Sequence, residues 1–115
     1  MTPLPETVMA AIRDHAQAVY PRESCGVVIV VTGKPVYVPC ANLADSPGQY
    51  FVMAPADYMA AEDRGEVIRI VHSHPDVSAQ PSEADRVSCE VTGLPWLIVN
   101  WPTGAIVEFE PSFLC

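Results

Sequence analysis

His72, Ser73 and His74 open a short stretch whose residue types and spacing could do chemistry, and Asp85 closes it. Residues two apart on a strand point to the same face, so the two imidazoles can converge on one ion. The chain then crosses a loop containing Pro75 and Pro81, and Ser82-Glu83-Ala84-Asp85 opens a helix whose first turn can return a carboxylate to the same place. Two imidazoles and a carboxylate, with a fourth position left for water, match the ligand count of catalytic zinc, whereas structural sites are closed by four ligands. The expectation is one Zn2+ per chain, held by His72, His74 and Asp85. Each piece also has an ordinary structural explanation. His-x-His pairs are common on surfaces, and Ser82-x-x-Asp85 fits a capping box, in which the serine caps the helix and the acid reaches back. Few structural needs, however, would produce the pieces in this order. Whether the Ser82 hydroxyl caps the helix or turns toward the ion stays open at this level.

Two cysteines compete for roles near this stretch. Cys89 follows Asp85 by one helical turn and could approach the ion as a fourth, closing ligand. A residue one turn further along should instead point into the core, where free cysteine is common. Cys25 could be a nucleophile with a histidine nearby, yet it precedes an apolar strand and reads as buried. Cys25, Cys40, Cys89 and Cys115 lack the close spacing of a zinc knuckle and read as small buried or terminal residues. The His-x-Glu and Pro-Cys-x-x-Cys pieces of the zinc deaminases are absent from the sequence.

The elements that must position these residues follow from periodicity. Val8, Ile12, Ala16 and Val19 recur at helical spacing, which predicts a helix from Glu6 to Tyr20, stopped by Pro21. Cys25 to Val31 reads as a strand, Thr32-Gly33-Lys34 as a turn and Val36 to Val38 as the antiparallel return. Residues 42–49 read as loop, and Tyr50 to Met53 as a short strand. Pro55 opens a helix that stops near Gly65, which suits a helix C′ position. Glu66 to His72 is a strand, a helix runs from Ser82 to just before Gly93, and Trp96 to Asn100 and Ala105 to Phe109 are the last two strands. The fold class is α/β, a mixed β-sheet with flanking helices, and residues 1–115 form a single domain.

The 115 residues suffice for one core. The net charge is -8, so a phosphate backbone or an anionic membrane surface would be repelled, and nucleic acid and membrane are excluded as partners. Eight of the fourteen acids lie between Asp57 and Glu90, where a cation would meet a favourable field, although an acidic solvated surface explains most of them. No opening segment has the make-up of a secretory signal, and no apolar run approaches the roughly 20 residues of a membrane span, so the chain reads as cytosolic.

His72-Ser73-His74-Pro75, a gap, then Ser82-Glu83-Ala84-Asp85 resembles the signature of the JAMM (MPN-plus, JAB) zinc metallopeptidases. That signature includes an upstream glutamate, and Pro21-Arg22-Glu23-Ser24-Cys25-Gly26 looks like that element. The likeness extends over essentially the whole chain. It is nearest the phage-tail branch, through Tyr20 to Gly26, Ala61-Glu62-Asp63, Leu94-Pro95-Trp96 and Trp101-Pro102. The resemblance implies a JAMM/MPN (cytidine-deaminase-like) fold. It also implies Glu23 as general base acting on zinc-bound water, and Ser82 as stabiliser of the oxyanion. The implied reaction is hydrolysis of a peptide or isopeptide bond in phage tail assembly. The alternative it carries is a silent scaffolding domain that binds a protein partner. No side chain singles out a plain peptide, a ubiquitin-like tail or a cell-wall peptide as substrate. Phage tail proteins are the implied partners, and the bacterial host cytoplasm or the virion the implied location.

Overall fold

The computed structural model describes residues 3–112. Helix α1 (Glu6–Val19) buries Val8, Ile12 and Ala16, one stripe at four-residue spacing. Strands β1 (Cys25–Val31) and β2 (Lys34–Cys40) form an antiparallel hairpin that pairs Val31 with Lys34. The two residues between them, Thr32 and Gly33, both have positive φ, as the turn that matches strand twist requires. Helix α2 (Pro55–Arg64), strand β3 (Glu66–Pro75), helix α3 (Glu83–Thr92) and strands β4 (Trp96–Trp101) and β5 (Ile106–Phe109) complete the chain.

The five strands form one mixed sheet in the order β2-β1-β3-β4-β5. Only β3 and β4 are parallel, because α3 carries the chain back between them. One face buries Val28, Val71, Leu97 and Val99 against α1. The other buries Val27, Ile29, Ile70 and Trp96 against Ala61 of α2 and Cys89 of α3. The central strands are therefore covered on both sides, which accounts for their unbroken runs of β-branched residues.

Three expectations change. Residues 50–53 do not form a strand, and only Met53 bridges Asn42. The Asn42 side chain explains this, since its amide takes the Tyr50 carbonyl and the Val52 N–H that a ladder would have used. Strand β3 also runs past His72 to Pro75, paired with β4 throughout. Gly65 ends α2 with extended backbone, not as a left-handed cap. It is needed because a Cβ there would collide with the Val30 carbonyl, where α2 turns tightly into β3.

Candidate metal centre

The carboxyl end of β3 carries His72 and His74, and α3 returns Asp85 to it. His72 Nε2 lies 3.2 Å from Asp85 Oδ1, and His74 Nε2 lies 3.1 Å from Asp85 Oδ2. The two Nε2 atoms are 3.2 Å apart. The three side chains are 1%, 12% and 13% exposed, so the group is walled in yet reachable.

Each candidate ligand is held by neighbours of its own. His74 Nδ1 donates to the Ser78 carbonyl at 2.7 Å, which fixes the ring and leaves Nε2 of the neutral imidazole bare. The His72 ring stacks on Phe51 at 4.7 Å and meets the edge of Trp96 at 5.4 Å. Its Nδ1 is buried without a partner, so aromatic packing orients this ring in place of a hydrogen bond. Asp85 is fixed by reciprocal bonds. Ser82 Oγ accepts from Asp85 N at 3.1 Å, and Asp85 Oδ2 accepts from Ser82 N at 2.9 Å.

This arrangement fits a cation. With Nδ1 of His74 donating to Ser78, the bare Nε2 faces a carboxylate oxygen and a second imidazole nitrogen. Acceptors this close repel unless a proton or a metal ion lies among them. His72, His74 and Asp85 offer one ligand atom each within 4.8 Å of one another, and these residues could hold a metal ion. Burial raises the Asp85 pKa, but when the facing nitrogens of His72 and His74 carry protons in the metal-free group, the hydrogen bonds they donate outweigh it and hold the carboxyl far below its ordinary value. Burial lowers His72, while for His74 the same burial is outweighed by the bonds to Asp85 and Ser78, which raise it.

Glu23 and Ser82 reach the same cavity, a cleft of about 530 Å³ also lined by Tyr50, Phe51, His74 and Asp85. Strand pairing accounts for Glu23. Cys25 of β1 lies opposite His72 of β3, and the Ser24 carbonyl accepts from Ser73 N at 3.0 Å, so the residue before Ser24 falls beside His74. Glu23 is only 8% exposed, and burial raises its pKa to about 7, opposed by His74 and reinforced by Asp85. Ser82 is the N-cap of α3. Because its oxygen accepts from Asp85 N, its own proton stays available to donate, so capping and facing the site are compatible.

The cysteines lie elsewhere. Cys89 sits in the core beneath α3 and donates to the Leu94 carbonyl at 3.3 Å. Cys25 is fully buried, with its pKa pushed up to about 12, mainly by burial. Cys40 is buried as well, and Cys115 lies outside the described residues. Two asparagines escaped sequence reasoning. Buried Asn100 donates to the carbonyls of His74 and Val77 and accepts from Thr103, which shapes the loop after β3. Asn42 similarly anchors the connection between β2 and α2. Asparagine in a loop is too common to be a signal.

A five-stranded mixed sheet with helices on both faces and a His-His-Asp group at the carboxyl end of β3 defines an α/β domain with a candidate metal centre. Residues 5–111 match the family model of prokaryotic homologs of the JAB domain, and the chain belongs to that family. Tail tip assembly protein K of Escherichia phage N15 is 52% identical over 101 residues, which are 88% of this chain and 42% of that protein. The protein of the same name in Escherichia phage lambda is 45% identical over 47 residues, 41% of this chain and 24% of its own. The chain thus spans about two fifths of the N15 relative's length. A protein from Desulfitobacterium hafniense shares the fold at TM-score 0.68 and 24% identity, over 94% of this chain and 89% of its own. A JAB1/MPN domain protein from Archaeoglobus fulgidus does so at 0.57 and 22%, over 96% and 98%. Among the described residues no helix is long and apolar enough to cross a membrane.

Proposed function

We propose that this domain is a zinc-dependent hydrolase of peptide or isopeptide bonds that works in phage tail assembly. The observation that carries the reading is a buried carboxyl, Glu23, opening on the same cavity as His74 and Asp85, which His72 meets from behind at 3.2 Å. Two imidazoles and a carboxylate suit zinc, and three protein ligands leave a position open. Bound there, zinc supplies a Lewis acid that polarises an amide carbonyl and acidifies water at neutral pH.

The protein's own groups handle the proton. With a pKa raised to about 7, Glu23 can take a proton from water and return it to the leaving amine near neutral pH. A cation on the three ligands would favour its ionised, proton-accepting form. The Ser82 hydroxyl, with its oxygen already engaged by Asp85 N, can donate to the carbonyl oxygen as negative charge develops. Ser78 and Asn100 keep His74 aimed throughout.

The 52% identity to a tail tip assembly protein supports tail proteins as partners or substrates. A second reading, partner binding without hydrolysis, is favoured by the exposed apolar side chain of Val77 at the cavity and that of Val52, next in sequence to Phe51 of the cavity wall. The two part on one comparison. Metal analysis should find about one zinc per chain in both the native and the Glu23→Gln protein, with cleavage of tail proteins or a peptide pool lost only in the variant. Phage carrying Glu23→Gln that still build normal tails would instead favour the binding reading.

A further inference from the structure

We propose that Asn42 is a positioning residue that locks Glu23 and the aromatic cover of His72 into one frame. The inference rests on the hydrolase reading above and deepens it. Asn42 lies just past β2, and its side chain meets five backbone groups. Nδ2 donates to the carbonyls of Glu23 at 3.1 Å, Tyr50 at 3.2 Å and Pro47 at 3.4 Å, and Oδ1 accepts from Ala44 N and Val52 N, both at 3.0 Å. Two of these contacts bracket Phe51, which stacks on His72. A third holds the peptide unit of Glu23, whose own N–H donates to the Pro47 carbonyl at 2.7 Å.

The consequence is mechanical. Glu23 precedes β1 and has no ladder partner within it, so its backbone is placed by Asn42 and Pro47 together with the pairing of Ser24 and Ser73. Phe51 belongs to neither a helix nor a strand and is placed by the same side chain. His72 depends on that cover, because its Nδ1 has no hydrogen bond to hold the ring. Within the frame set by the β1–β3 register, one amide therefore adjusts how the proposed base sits relative to the aromatic cover of a proposed ligand, and a shift of about 1 Å in such a group can cost about 100-fold in rate.

The test uses the chain loaded with Co2+ and with Zn2+, comparing native protein, Asn42→Ala and Asn42→Asp. The aspartate variant keeps acceptors for Ala44 and Val52 but has no donor for Glu23, Pro47 or Tyr50, so it carries the test even if the alanine variant does not fold. Asn42→Asp should bind one metal per chain and keep slow amide exchange at Ala44 and Val52. Its visible Co2+ spectrum should shift, and kcat on a pooled synthetic peptide library should fall about 100-fold with KM little changed. Native spectrum together with native kcat in Asn42→Asp would overturn the proposal and leave Asn42 as a loop staple. If the native protein cleaves nothing in the pool, the hydrolase reading fails there. The Co2+ spectrum then decides alone, a shift supporting the role of Asn42 and an unchanged spectrum ending it.

Discussion

Glu23 ties the site to pH. In the metal-free protein it ionises at about 7, against an ordinary value of 4.5. As pH rises the unfolded chain releases this proton first, so between these values the native state binds more protons and stability falls, with the loss complete above pH 7. Glu23→Gln removes that slope. With a chelator present, denaturant titrations should find the variant more stable than the native protein at pH 8, with the advantage shrinking toward pH 5. With zinc present, the same variant should keep its metal and lose about 100-fold or more of any hydrolytic rate, the usual contribution of a positioned acid or base. His74→Ala should behave oppositely, losing zinc outright, because its Nε2 meets both Asp85 and His72. Metal analysis after gel filtration checks this.

At the scale of elements, α3 and the connection between β2 and α2 carry different shares of the site. The capping box at Ser82 both starts α3 and fixes Asp85. Ser82→Ala should cost about 1 kcal/mol in a thermal melt. It should also cost about 100-fold in kcat if the hydroxyl donates to the developing oxyanion. These elements differed in how plainly the sequence announced them. Periodic apolar positions of α1 and the β-branched runs of β1 and β3 mark themselves, because burial selects them directly. The His-x-His spacing and the Ser82-to-Asp85 turn were readable for a similar reason, being local geometry written in neighbouring residues. The placement of Glu23 was not readable from its own surroundings. It depends on Cys25 meeting His72 across the sheet, a non-local register that only family resemblance pointed to. Residues 50–53 read as a strand by composition, yet the Asn42 side chain, a dozen residues away or less, takes the backbone groups that pairing would need.

Across the whole molecule, the sheet is sandwiched between two apolar clusters, and the group of His72, His74 and Asp85 lies at the carboxyl end of β3. Zinc that binds only the folded state should raise unfolding free energy by about 2.7 kcal/mol at 100 times its dissociation constant. Titrating zinc against the denaturation midpoint measures this, and the increment should vanish in His74→Ala. A net charge of -8 adds self-repulsion that a divalent cation partly relieves, so the gain should be larger at low salt than at high salt.

The register that seats Glu23 has one more consequence. All three candidate ligands come from a single strand, loop and helix, with His74 and Asp85 only 11 residues apart. The proposed base arrives through a contact between Ser24 and Ser73, which are 49 residues apart. Loop closure makes the first arrangement kinetically cheap and the second slow. The three candidate ligands are thus brought together by local contacts, whereas the base joins them only when β1 docks on β3. A change that loosens the docking of β1 on β3 would therefore spare the three candidate ligands and displace Glu23 alone.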